Sequence, residues 1–203
     1  FLENSLNDLR GDGYLPISVL NFLVLLGWHP EKDREILSLG EMIEEFNLKR
    51  VQKAGAVFYP EKLNWLNGQY IKKSMPTRIV DLCEPLLMDA YGKIDFDYMA
   101  RVVSLFLDRI RVIPEIVDLT GYFFTDNIQY DEKAKSFLQD PKAPDMLSSL
   151  KIVLQALEPF TKPEIEKAFK ELAKQKEVKL GVLIHPCRAA LTGRAESPGI
   201  YDV

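Results

Sequence analysis

Histidine and cysteine are nearly missing from this chain, with two of each in 203 residues. His29, His185, Cys83 and Cys187 fall in no Cys/His spacing that closes a structural zinc site. The two thiols are far apart and lie among apolar neighbours, so they read as small core residues in a reducing compartment. Long apolar runs are lacking too. The longest, Leu15 to Leu26, is too short to span a bilayer, and Asn21 interrupts it. Phe1-Leu2-Glu3-Asn4 has neither the basic nor the apolar region of a secretory signal. A cytoplasmic protein with no membrane partner is therefore expected, and the missing initial methionine suits a fragment or a processed product.

Catalytic signatures are equally scarce. No glycine-rich phosphate loop of either common type occurs. His185-Pro186-Cys187 invites a Cys/His pair, but residues this close in sequence do not face each other. Asp and Glu number 30, yet they are scattered along helical faces, so no paired acid and base stand out. On motifs alone the chain offers no active site.

What is present is an ample core and an uneven charge. Hydrophobic residues make up 47% and charged residues 28%, enough for one large domain or two small ones. The net charge of -4 argues against a nucleic-acid partner, whereas its distribution argues for one. Between Lys162 and Arg194 there are eight Lys/Arg against four Asp/Glu; elsewhere there are eighteen against twenty-six. A basic C-terminal segment of this kind suits a polyanion, and a solvated helix face would give the same count.

The periodicity is helical nearly throughout. Pro16 opens a first helix that Gly27 closes, with Leu20, Leu23, Val24 and Gly27 predicted on its buried face. Ser38 with Glu41, and Thr161 with Glu164, have the spacing of capping boxes, and Pro163 sits early in the second of these helices. Asp95 is predicted to cap a long helix through Met99, Val102, Val103, Phe106 and Ile110, broken near Pro114. Shorter helices are expected at Glu115 to Leu119, Asp131 to Leu138, Asp145 to Leu157 and Gly181 to Leu191. The best strand candidate, Ala56 to Tyr59, is short. An all-α chain follows, with boundaries at Lys72 to Pro76 and at Gly121 to Tyr130.

Three strings carry a family resemblance. They are Gly13-Tyr14-Leu15-Pro16 through Asn21-Phe22-Leu23 to Leu25-Leu26-Gly27-Trp28, then Lys62-Leu63-Asn64-Trp65-Leu66-Asn67-Gly68-Gln69-Tyr70-Ile71, and finally a third near the end. The third is Lys179-Leu180-Gly181, Pro186-Cys187-Arg188-Ala189-Ala190-Leu191-Thr192-Gly193 and Ser197-Pro198-Gly199-Ile200-Tyr201. In order and spacing they resemble the C-terminal part of bacterial-type glutamyl-tRNA synthetases. The resemblance implies helical bundles in series: a stem-contact portion over 1–74 and an anticodon-binding domain in two parts, 75–121 and 122–203. The second part is expected to be truncated, since Val203 falls inside a helix expected to open at Pro198. The two ATP-site signatures of class I synthetases, and the nucleotide-binding αβ domain that carries them, are absent from the sequence. The chain is therefore expected to hold no cofactor itself, with ATP and Mg²⁺ belonging to the catalytic half of a parent glutamate–tRNA ligase.

The resemblance also implies a partner, glutamate-specific tRNA, and neither DNA nor a membrane, with the protein acting as a monomer. Arg109 aligns with the arginine of an Arg-x-x-x-Leu-x-Glu-Leu-like pattern, here Arg109, Ile113, Glu115 and Ile116, which is implied to read the third anticodon base. Pro114 departs from the usual polar residue there. Arg188 aligns with an arginine on the anticodon loop, and Lys170 with another basic contact. Ser197, Pro198, Gly199, Ile200 and Tyr201 align with the segment on which anticodon bases pack. Ser197 is expected to cap a helix, with Ile200 and Tyr201 offering stacking surface. Two rivals remain: a helical protein-interaction module, which would show exposed apolar stripes, and an enzyme with a cleft of clustered carboxylates.

Overall fold

A computed structural model describes residues 6–32, 34–52 and 57–203. Every regular element among them is helical. Ala56, one end of the strand candidate, lies outside the described residues, and 57–59 form no strand. The chain divides into two compact units, Phe1–Thr120 and Gly121–Val203. None of the described helices is long and apolar enough to cross a membrane.

The first unit contains α1 (Leu6–Gly11), α2 (Pro16–Gly27), α3 (Leu39–Glu45), α4 (Pro60–Lys73), α5 (Pro76–Tyr91), α6 (Phe96–Ser104) and α7 (Glu115–Thr120). Proline stands in the first turn of α2, α4 and α5, where its missing N–H costs no helical bond. The capping box of α3 forms as its spacing predicts: Ser38 Oγ accepts from Glu41 N at 3.2 Å, and Glu41 Oε2 accepts from Ser38 N at 2.7 Å. The Ser38 amide first, then the Ser38 hydroxyl and the Arg34 guanidinium, hold the Glu41 carboxyl down at about 2.

α2 departs from its predicted orientation. Leu20 and Leu23, expected inside, are 39% and 46% exposed, while Ser18, Val19, Asn21, Phe22 and Leu25 are buried. The helix is apolar on nearly every side, so periodicity could not choose its inner face. Hydrogen bonds choose it instead. Asn21 accepts from Leu37 N at 2.8 Å and donates to the Glu35 carbonyl at 2.9 Å. Ser18 Oγ lies 2.6 Å from Asn67 Oδ1 on α4, which also accepts from Leu15 N at 2.8 Å. Two of the strings that carry the family resemblance thus meet face to face, with Tyr14 donating to Asn64 at 2.5 Å. Trp65, between Asn64 and Leu66, is 40% exposed. The α4 stripe of Leu63, Leu66, Asn67, Tyr70 and Ile71 turns Trp65 outward.

Asp95 caps α6 as predicted, accepting from Tyr98 N at 2.9 Å, but the helix stops at Ser104 rather than Ile110. Beyond it the backbone tightens into three-residue turns, Leu105 N to the Val102 carbonyl and Phe106 N to that of Val103. Phe106, Ile110 and Ile113 stay buried, so the apolar spacing continues although the helix does not. The turn brings the Arg111 carbonyl within 2.5 Å of Asn67 Nδ2 and Ile113 N within 3.3 Å of the Gly13 carbonyl.

The second unit contains α8 (Glu132–Leu138), α9 (Ala143–Gln155), α10 (Lys162–Gln175) and α11 (Gly181–Thr192). α11 packs on α8 and α9, and α10 packs on α9. The core includes Met146, Leu150, Phe169, Leu172, Leu183 and Cys187. The Thr161–Glu164 box does not form. The Thr161 amide donates to the Pro159 carbonyl at 3.0 Å, leaving nothing for Glu164 to accept, and Glu164 turns toward Lys167.

Asn67 is completely buried and engages both α2 and the 111–113 segment. Asn67→Ala is expected to destabilise the chain by about 2–4 kcal/mol, through a cavity and unsatisfied buried polar groups. Urea unfolding followed by circular dichroism reads the loss. A midpoint equal to wild type would remove Asn67 as the tie.

Candidate nucleic-acid interface

The end of α11 is built by a glycine. Gly193 closes the helix at φ +68, and its amide donates to the Ala189 carbonyl at 2.9 Å. A Cβ there would lie 2.1 Å from the Gln129 carbonyl oxygen, so the position needs glycine for space as well as for conformation. The close approach lets Asp131 N donate to the Gly193 carbonyl at 2.8 Å. The Asp131 carboxylate accepts from Ala134 N at 2.6 Å, capping α8, and from Ala195 N at 3.1 Å. These amides, Ala134 first, hold the Asp131 carboxyl below its ordinary value. The segment after α11 is thereby stapled to the start of α8.

Arg188 lies in the last turns of α11 and is half-buried. Its Nε donates to Ser197 Oγ at 3.0 Å, and that hydroxyl donates to the Pro198 carbonyl at 2.8 Å. With its proton turned to a carbonyl, Ser197 presents a lone pair to Nε. Arg188 makes no ion pair among the described residues, so the outer edge of its guanidinium keeps its donors and its charge. A fixed cationic fork of this kind suits a planar acceptor or a phosphate.

The rest of the 197–201 segment anchors more than it displays. Ser197 caps no helix. The first turn opens at Gly199, whose carbonyl accepts from Asp202 N at 2.7 Å, and the expected helix start at Pro198 is not seen. Ile200, expected as stacking surface, is buried in the core at 8% exposure. Tyr201 sets its ring edge-on against Phe169, centroids 5.3 Å apart, and burial pushes its phenol up. Pro198 is buried too, and only Gly199 of the five is exposed. The physical reason is the turn itself: it tucks Ile200 under, while Asp202 pairs with Lys162.

Lys170 is exposed, and its ammonium is met by Glu166 at 2.6 Å, which raises its pKa. The basic excess of the C-terminal segment is similarly engaged, by Lys162–Asp202, Lys167–Glu164 at 3.9 Å and Lys176–Asp145 at 3.0 Å. Arg109 belongs to the first unit, exposed in the turns after α6, with no ion pair among the described residues; its neighbour Asp108 pairs with Lys72 at 3.0 Å. The structure therefore brings Arg188 and Ser197 into direct contact and leaves Arg109 in a separate unit.

Other chemistry finds no support. Cys83 and Cys187 are buried, their thiols pushed up to about 12 and about 11 by desolvation. His185 stacks on Phe137 rather than serving Cys187. No group of three or more His, Cys, Asp or Glu among the described residues could hold a metal ion. The described grooves, of about 440, 330 and 340 Å³, hold a single carboxylate, Asp140, and no cluster.

Residues 78–203 match the family described as the anticodon binding domain. The chain belongs to that family. Residues 3–65 match the catalytic domain of class I tRNA synthetases (E and Q), although every regular element in the described part of that stretch is helical. Among similar proteins, a glutamate–tRNA ligase of Moorella thermoacetica is 36% identical over 206 residues, covering 98% of this chain and 42% of its own length. A glutamate–tRNA ligase 1 of Syntrophomonas wolfei is 37% identical, with 98% and 41% covered. The crystal structure of a glutamate tRNA ligase from Elizabethkingia meningosepticum, in complex with its amino acid, superposes with a TM-score of 0.85 at 29% identity, covering 96% of this chain and 38% of that one. The chain spans about two fifths of the length of these curated relatives. As an anticodon-binding-domain protein it is not favoured as a helical interaction module, even with Leu20 and Leu23 exposed on α2.

Sequence reasoning missed Asp131 and the depth of the demand on Gly193. A cap at Asp131 was legible, but its second bond, to Ala195, lies 64 residues away. Gly193→Ala is expected to cost about 3 kcal/mol or more, from positive φ and the clash with Gln129. Thermal unfolding measures it; an unchanged transition would show that the 128–131 segment yields freely.

Proposed function

We propose that the chain binds tRNA(Glu), reading its anticodon and stem, as the C-terminal part of a glutamate–tRNA ligase. ATP-dependent attachment of glutamate, with ATP and Mg²⁺, falls to the catalytic half of such a ligase. The observation that carries the proposal is Arg188 in a matched anticodon-binding domain, held through Nε by Ser197 and without an acidic partner among the described residues. Anticodon bases are splayed out and read by hydrogen bonds to their edges, which a preset guanidinium supplies. On this proposal the division is a stem-contact portion over 1–74 and anticodon-binding parts over 75–121 and 122–203. Arg188 and Arg109 are the readers, Lys170 contributes charge, and 197–201 serve mainly to hold Arg188. The protein works as a cytoplasmic monomer, without DNA or membrane.

The direct test is titration of the chain with tRNA at two salt concentrations. Binding should weaken steeply as salt rises, because phosphate contacts release counterions. Arg188→Ala should lose about 1–3 kcal/mol of binding with helicity intact. Ser197→Ala should lose less, and should add nothing once Arg188 is alanine, since it acts through that side chain. Additive losses would mean that Ser197 meets RNA by itself.

Arg109 is proposed to discriminate the third anticodon base. Glutamate tRNAs carry C there and glutamine tRNAs carry G. Cytosine offers N3 and O2 acceptors where guanine offers N–H donors, and arginine can only donate. Glutamine at 109 could supply an acceptor too. Arg109→Gln in the full-length parent should narrow the preference for tRNA(Glu) over tRNA(Gln) by about 1–3 kcal/mol. Charging efficiency on the two tRNAs measures it, and an unmoved ratio would leave Arg109 a surface charge.

A further inference from the structure

A groove of about 330 Å³ lies in the second unit, where α8, α9 and α11 meet. Three nitrogen-bearing side chains line it: Lys142 at the start of α9, Lys179 just before α11, and His185 on α11. All three are exposed, and none makes an ion pair or a side-chain hydrogen bond among the described residues. That sets them apart from Lys162, Lys167, Lys170 and Lys176, each of which is matched by a carboxylate.

The His185 ring is held flat. It stacks on Phe137 of α8 with centroids 4.8 Å apart and an interplanar angle of 14°. On its own helix it folds back over Gly181: a Cβ there would come within 3.3 Å of His185 Nε2. The ring is thus fixed from two sides while remaining exposed to the groove, as a stacking platform requires. Asp140 also lines the groove, and its carboxylate accepts from Lys142 N at 2.8 Å. Two lysine charges outnumber that one, and the carboxylate is turned toward backbone. The first turns of α9 and α11 border the same space and favour an anion further.

We propose that this groove holds one nucleotide of the bound RNA, with Lys142 and Lys179 on its phosphate and its base on the His185 ring. The proposal rests on the RNA-binding function above. It also fits the surface of α11, where His185 and Arg188 are three residues apart and so are neighbours on the helix. A strand meeting Arg188 can continue into the groove.

The test is titration of the 203-residue chain with tRNA across a salt series, with helicity checked for each variant. The double variant Lys142→Ala/Lys179→Ala should bind about tenfold more weakly at low salt, and its salt slope should be shallower by about one unit, the signature of a lost phosphate contact. His185→Ala should weaken binding several-fold while His185→Phe retains it, because a flat ring is what the base needs. If the wild-type chain does not bind tRNA at all, the RNA-binding function fails. If it binds and the double variant keeps both affinity and slope, the nucleotide groove alone is overturned.

Discussion

The first unit depends on a buried amide. An all-helical chain has no sheet to fix register, and apolar helices slide against one another at little cost. Asn67 removes that freedom. Its oxygen takes the Leu15 amide and faces the Ser18 hydroxyl, and its nitrogen reaches the Arg111 carbonyl. One side chain therefore sets α2 against α4 and fixes the turn that follows α6. Asn21 and Tyr70 repeat the device one layer on: the Tyr70 hydroxyl lies 2.5 Å from Asn21 Oδ1 and 2.6 Å from the Leu37 carbonyl. Each such group is costly if left unpaired, so the arrangement with all of them paired outcompetes its neighbours in register.

The second unit fixes its register by close approach. Gly193 removes a side chain so that the Gln129 backbone can come near, and Asp131 then bonds both to Gly193 and to Ala195. From that staple the chain turns back along α11, bringing Ser197 to Arg188. An arginine on a helix surface ordinarily samples many rotamers. Here one nitrogen is tied down while the outer edge stays unpaired, so ordering entropy is met during folding and not at the moment of binding. Burial of Ile200 and Tyr201 serves the same end, since they peg the turn that carries Ser197.

How much of this was legible follows from what each feature depends on. Helix positions were readable because caps, prolines and glycines act over three or four residues: Pro16, Gly27, Ser38 with Glu41, and Asp95 all do what their spacing says. The α2 face was not readable, because its outer Leu20 and Leu23 are as apolar as its inner Val19 and Phe22. What decides is Asn21, which looked like an interruption and is a buried donor and acceptor. The Thr161 box failed because a carbonyl two residues back claimed the amide. Of the site, Arg188 could be named from a string, but whether Ile200 faces bases or core is a matter of tertiary turning that no local pattern encodes.

On the proposed function a chain of net charge -4 takes a polyanion, and electrostatics accounts for this. Long-range attraction between exposed charges is screened beyond about 10 Å at moderate salt, so the whole-chain sum matters little at contact. What matters is which cations remain unmatched within reach of a phosphate. Four lysines of the C-terminal segment are matched by Asp202, Glu164, Glu166 and Asp145, and act as part of the solvated surface. Lys174, Lys179 and Arg188 make no ion pair among the described residues; Lys179 stands just before α11 and Arg188 in its last turns. The local excess of basic residues overstates the binding charge, because half of its eight cations are already paired. Specific recognition on an acidic body then depends on few contacts, each preset, with little contribution from a diffuse basic field.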